Sequence, residues 1–117
     1  MALALLPLSL CSCLNSRGSS SITSQGNRLE MTVKAPISRV GIAARDAMVQ
    51  QKMTIVAYSV TEKAGSIVAY TPTGMRIELT IRPIDAGSST LTALTNGSEE
   101  ADDAATSLLA KTASKAS

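Results

Sequence analysis

From residue 28 onward the apolar positions fall into regular periods. Residues 28–35 alternate, with Leu29, Met31 and Val33 on one side and Glu30, Thr32 and Lys34 on the other, which is the period of a half-buried strand. Pro36 suits the first position of a helix. Ile37, Val40, Gly41, Ala44, Met48 and Gln51 then recur at helical spacing, while Arg39, Arg45, Asp46 and Lys52 keep off that face. Residues 53–60 and 66–71 are rich in β-branched side chains and are separated by Thr-Glu-Lys-Ala-Gly, a hairpin signal. Thr71-Pro72-Thr73-Gly74 places Pro second and Gly fourth, as a type I turn prefers.

Residues 75–82 give the clearest alternation: Met75, Ile77, Leu79 and Ile81 inward, Arg76, Glu78, Thr80 and Arg82 outward, with Pro83 as the stop. Asp85-Ala86-Gly87 turns the chain into a Thr-rich strand over 89–95. Asn96, with Glu99 three residues on, reads as the capping box of a last helix, whose apolar stripe is Ala101, Ala104, Ala105, Leu108, Leu109 and Thr112. Residues 113–117 are expected to fray. The predicted order is β-α-β-β-β-β-α, an α+β two-layer sandwich with a mostly antiparallel sheet and both helices on one face. Whether the first helix joins two neighbouring parallel strands is left open by the pattern.

Ahead of this domain the period is lost. Residues 15–27 are rich in Ser, Gly and Asn and read as a flexible tether with a reach of roughly 20 Å. Residues 2–10 form an uncharged apolar run, too short for a bilayer-spanning helix, which takes about 20 residues, but suited to a secretory signal. Leu10-Cys11-Ser12-Cys13 resembles the bacterial lipobox: an aliphatic residue, a variable one, a small one, then the cysteine that is acylated. The resemblance implies cleavage after residue 12, a signal peptide over 1–12, a lipidated Cys13 opening a tether over 13–27, and an α+β domain over 28–112. Cys11 is the competing attachment point, disfavoured because the preceding Leu10 is not small. The short, uncharged start of the signal points either to initiation upstream of Met1 or to an unusually short signal. A redox pair, or a cleaved signal without lipid, are the other readings of the Cys-x-Cys spacing.

Composition narrows the chemistry. The chain has 117 residues and a formal charge of +2, with acids and bases intermixed, no His, Phe or Trp, and only Tyr58 and Tyr70 as aromatics. The absence of His removes the usual general base and metal ligand. One Cys-x-Cys cannot complete a tetrahedral zinc site. The lack of a clustered basic face and of aromatic platforms argues against nucleic acid as a partner. Helix-start compensation accounts for Glu99, Glu100, Asp102 and Asp103 without a cation. The polar strand face with Glu30, Lys34, Arg76, Glu78 and Arg82 reads as a solvated face or a partner surface. Nothing in the spacing links Asp46 with Glu62.

The element order, with Val33-Lys34-Ala35-Pro36 entering the first helix, the Thr-Pro-Thr-Gly turn and an acidic Asn-Gly-Ser-Glu-Glu-Ala opening the last, resembles a family of small bacterial lipoproteins of unknown function over roughly residues 10–112. That resemblance implies a fold and an address but no catalytic residues. The expectation is therefore a non-enzymatic lipoprotein of the cell envelope. It would be held to the membrane through its lipid, facing the periplasm and leaning to the outer membrane because Leu14, not Asp, follows the cysteine. It would need no cofactor, and would act as a protein-interaction or scaffold module. The alternative is a periplasmic small-ligand carrier with a pocket between helix and sheet, lined by Met48, Met53, Met75 and the two tyrosines.

Overall fold

In the computed structural model, residues 22–117 are described. They form β1 (Thr23–Gln25), β2 (Arg28–Val33), α1 (Ile37–Gln50), β3 (Thr54–Val60), β4 (Gly65–Tyr70), β5 (Arg76–Asp85), β6 (Ser88–Leu94) and α2 (Glu99–Ala116). The six strands make one sheet in the order β1-β2-β6-β5-β4-β3. Every pairing is antiparallel. The α+β class and the placing of both helices on one face are as the sequence predicts. β2 and β3 run in the same direction but are not neighbours: α1 carries the chain across β6, β5 and β4 to the far edge.

Alternation on each strand feeds one core. Leu29, Met31 and Val33 on β2, Ile67 and Ala69 on β4, Ile77, Leu79 and Ile81 on β5, and Leu91 and Ala93 on β6 are all buried under the helices. Each large aliphatic side chain so buried stabilises by roughly 1.5–3 kcal/mol. α1 covers β3, β4 and β5, α2 lies over β2, and the helices pack along each other. Alanines at 43, 44 and 47 on α1 and at 101 and 105 on α2 are buried, which lets the helices lie close without Phe or Trp to fill space. The two hydroxyl residues that are fully buried among the described residues are satisfied: Ser89 donates to the Ala35 carbonyl at 2.7 Å and Thr112 to the Leu108 carbonyl at 2.8 Å.

Five local expectations are corrected. Part of the segment predicted as tether is β1, joined to β2 by a turn in which Gly26 takes φ +61°, so folded chain begins before residue 28. Pro36 is the N-cap rather than the first helical residue, and its carbonyl accepts from the amides of Arg39 and Val40 at 3.0 Å. Pro83 does not end β5: the strand runs on to Asp85 because the register shifts between Pro83 and Asp85, where a missing amide donor is tolerated. Ser98, not Asn96, caps α2. The tail does not fray, since α2 continues to Ala116, whose side chain is buried in the core.

Gly41 sets how closely α1 approaches the sheet. A Cβ there would stand 2.9 Å from Cγ1 of Val60. Val60 is β-branched and stiff. Gly41→Val is expected to lower unfolding free energy by about 2 kcal/mol, overpacking outweighing the small gain in helix propensity over Gly. Gln50→Ala, exposed on the same helix, should change it by less than about 0.5 kcal/mol. Chemical denaturation of the two variants checks this.

Candidate functional site

Because both helices lie on one side, the other side of the sheet is uncovered, and strand register decides which side chains meet there. One row crosses all six strands: Thr23 opposite Glu30, Glu30 opposite Thr92, then Thr80, Ser66 and Ser59. Beside it, Thr32 lies opposite Thr90 and Thr90 opposite Arg82. On the other side Gln25, Arg28, Leu94, Glu78, Val68 and Ala57 form the next row. The face is therefore a band of hydroxyls flanked by arginines.

Its carboxylates are already engaged. Glu30 Oε2 accepts from the Thr92 hydroxyl at 3.2 Å, and Glu78 Oε1 pairs with Arg76 Nη1 at 3.4 Å. Among the described residues Arg28 and Arg82 have no ion-pair partner. They stand on either side of the hydroxyl row and, with Glu30, Thr80, Pro83, Thr90, Thr92 and Leu94, line an open groove of about 510 Å³. A guanidinium presents a planar fork suited to bidentate recognition of carboxylate or phosphate, and the floor offers hydroxyls that both donate and accept. The groove is equipped to hold an anionic group.

The other predicted site residues fall as follows. Cys13 and Cys11 lie outside the described residues. Glu30, Arg76, Glu78 and Arg82 do share one face, while Lys34 sits beyond the end of β2. Asp46 is on the outer side of α1 and Glu62 in the β3–β4 turn, on separate elements. Met48 and Met53 are buried in the packed helix–sheet layer, Met75 is half-buried, and Tyr58 and Tyr70 are exposed, so these five side chains do not converge on one space. Arg28, Thr80 and Thr92 are the members of the face that pattern reading passed over. Alternation marks Arg28 and Thr80 as outward, but which strand lies beside which is a matter of register.

The acidic start of α2 has a structural occupation. Asp102 Oδ1 accepts from the Thr95 hydroxyl at 2.7 Å, and Glu100 Oε2 accepts from the Thr73 hydroxyl at 3.1 Å. Thr95 Oγ1 in turn accepts from the Gly97 amide at 3.0 Å, where Gly97 takes φ +88° to turn the chain into the helix. Asn27 donates its side-chain amide to the Thr95 carbonyl at 3.0 Å, so the β1–β2 turn is tied to the same corner. Ser98 Oγ accepts from the Ala101 amide at 3.1 Å, and Asn96 Oδ1 from the Ser98 amide at 2.9 Å. Asn96 thus orders the turn before the helix, and Ser98 satisfies a free amide of its first turn.

Comparison with protein-family models gives no match, and no curated protein matches the chain. The class defined by fold and face is an α+β two-layer domain with one uncovered polar sheet face.

The capping assignment predicts an order of effects. Ser98→Ala should destabilise by about 1 kcal/mol, the usual loss of an N-cap oxygen, and Asn96→Ala by less. Thermal melts of the two variants read the difference; equal effects, or a larger one at Asn96, would return the cap to Asn96.

Proposed function

We propose that this chain is a membrane-anchored lipoprotein of the bacterial cell envelope, tethered through Cys13, that serves as a protein-interaction or scaffold module and receives its partner on the helix-free face of the sheet. The observation that carries the reading is the asymmetry of that face. Glu78 is paired with Arg76, and Glu30 takes the Thr92 hydroxyl while keeping its charge. Two arginines without an ion-pair partner among the described residues, Arg28 and Arg82, therefore stand on either side of a hydroxyl row and outnumber the one acid lining the groove. Such a surface is well hydrated alone, and gains specificity when a partner brings carboxylates to the two arginine forks. The anchor rests on the lipobox-like Leu10-Cys11-Ser12-Cys13 and on the Ser- and Gly-rich stretch that follows. Two or more acyl chains would make attachment durable. Leu14 after the cysteine leans the address towards the outer membrane, with the domain facing the periplasm.

A second reading, a carrier for a small anionic ligand, is favoured by the size of the groove. About 510 Å³ lies within the range of small-molecule sites. Its openness and polar lining fit a protein surface better than the enclosed apolar walls of a carrier.

Two measurements test the proposal. Labelled palmitate should enter the protein and its Cys11→Ala variant but not Cys13→Ala; labelling of Cys13→Ala would overturn the anchor. A photo-cross-linker at Thr80, in the centre of the face, should capture an envelope protein, and capture should fall at least tenfold in the Arg28→Glu, Arg82→Glu double variant. Capture indifferent to that charge reversal would overturn the assignment of the face.

A further inference from the structure

Among the described residues the sheet has two edges, β1 and β3, and only one is blunted. β1 is three exposed polar residues long. β3 runs for seven, Thr-Ile-Val-Ala-Tyr-Ser-Val, without a charge or a proline. Edge strands are normally shortened, charged or covered, because their free amides and carbonyls are a template for another strand. The β3–β4 hairpin closes with the Thr61 amide donating to the Ala64 carbonyl at 2.8 Å. By antiparallel alternation Ser59 and Ala57 then turn their backbone groups to Ser66 and Val68 of β4, and Tyr58 and Val60 direct theirs outward. The register shift between Ile55 and Ala57 bends the strand at Val56, so the regular free stretch is residues 57–60.

The same edge gathers exposed apolar side chains. Ile42, Val49, Val56 and Tyr58 are four of the six large hydrophobic residues exposed among the described residues, at 51, 63, 57 and 41%. Ile42 and Val49 stand two turns apart on α1, and Val56 and Tyr58 are on β3. The Arg45 guanidinium lies over the Tyr58 ring, 5.8 Å from its centroid, and Gly41 abuts Val60. Ile42, Arg45 and Val49 therefore share the side of α1 that overhangs the β3 edge, turned away from α2. Exposed apolar side chains beside an unpaired strand mark an interaction surface.

We infer that this edge receives a second copy of the same chain, β3 against β3, antiparallel about a two-fold axis near Ser59, with α1 of each copy along the seam. Antiparallel self-pairing is an isologous contact: it asks one patch to complement itself. This patch does. Pairing about Ser59 sets Tyr58 beside the partner's Val60, an aromatic and a β-branched side chain on the helix side of the sheet, and brings the ridge of Ile42 and Val49 towards its twin. The strand is uncharged, so no like charges meet within it. The bulge at Val56 excludes longer registers and confines pairing to the stretch around the axis. This contact is independent of Cys13 and of the polar face.

The test is photo-cross-linking of the full chain in cells, with p-benzoylphenylalanine replacing Val56. The expected product has twice the mass of the uncross-linked chain and contains both tags when two differently tagged copies are co-expressed. Ile42→Lys and Val49→Lys each alter an exposed side chain, so circular dichroism should be unchanged while the doubled species falls at least tenfold. The same cross-linker at Thr106, on the outer side of α2, should give none. A chain that stays at single mass, an adduct with some other protein at position 56, or a doubled species indifferent to both lysines would overturn the inference.

Discussion

The two-residue period of the central strands is the constraint on which the molecule rests. On β5, Ile77, Leu79 and Ile81 are fully buried, while Arg76, Glu78, Thr80 and Arg82 point the other way. A slip of one residue would press two arginines and a glutamate against the helices, leaving charge in a low-dielectric layer without partners. The register that protects the core is therefore the register that assembles the polar face. Thr80 is opposite Thr92, and Thr92 opposite Glu30, because Leu79, Ala93 and Leu29 must line up beneath the helices. Core and candidate surface are two sides of one alternation.

The second determinant is how near the helices come. With no Phe or Trp available, the space between layers is closed by small residues rather than filled by large ones. Gly41 brings α1 against Val60, and buried alanines along both helices bring them together. A helix drawn this far over the β3 edge cannot turn every apolar side chain inward, and Ile42 and Val49 are left outside. The exposed ridge is a consequence of close packing beneath it.

These two determinants were unequally legible in the sequence. Strong alternation at 29–33 and 77–81 identifies β2 and β5, and helical spacing identifies α1 and α2, because each carries a full apolar stripe. β1 has no such stripe: all three of its residues are exposed, and only pairing with β2 makes it a strand. Pro83 signals a stop, yet a register shift beside it removes the need for its missing amide. Asn96 and Ser98 are both good caps, and only the bond from the Ala101 amide distinguishes them. Of the candidate face, Glu30, Arg76, Glu78 and Arg82 follow from alternation alone. The groove does not, because Arg28 and Arg82 are far apart in sequence and meet only through the order β2-β6-β5.

The uncovered face and the uncovered edge differ in what they ask of water. Threonines, serines and arginines stay hydrated when a face of an antiparallel sheet is exposed, so that face is stable without a partner. Ile42, Val49, Val56 and Tyr58 gain from being covered, and the unpaired backbone of β3 gives them a directional way to be covered. The two surfaces also support each other. Joining two copies at β3 would make their polar faces continuous, presenting two arginine-flanked grooves on one rigid sheet. A partner with repeated carboxylates could then engage both at once, and the second contact would be made at high effective concentration. A groove too open to bind tightly by itself would in that arrangement gain its affinity from being doubled.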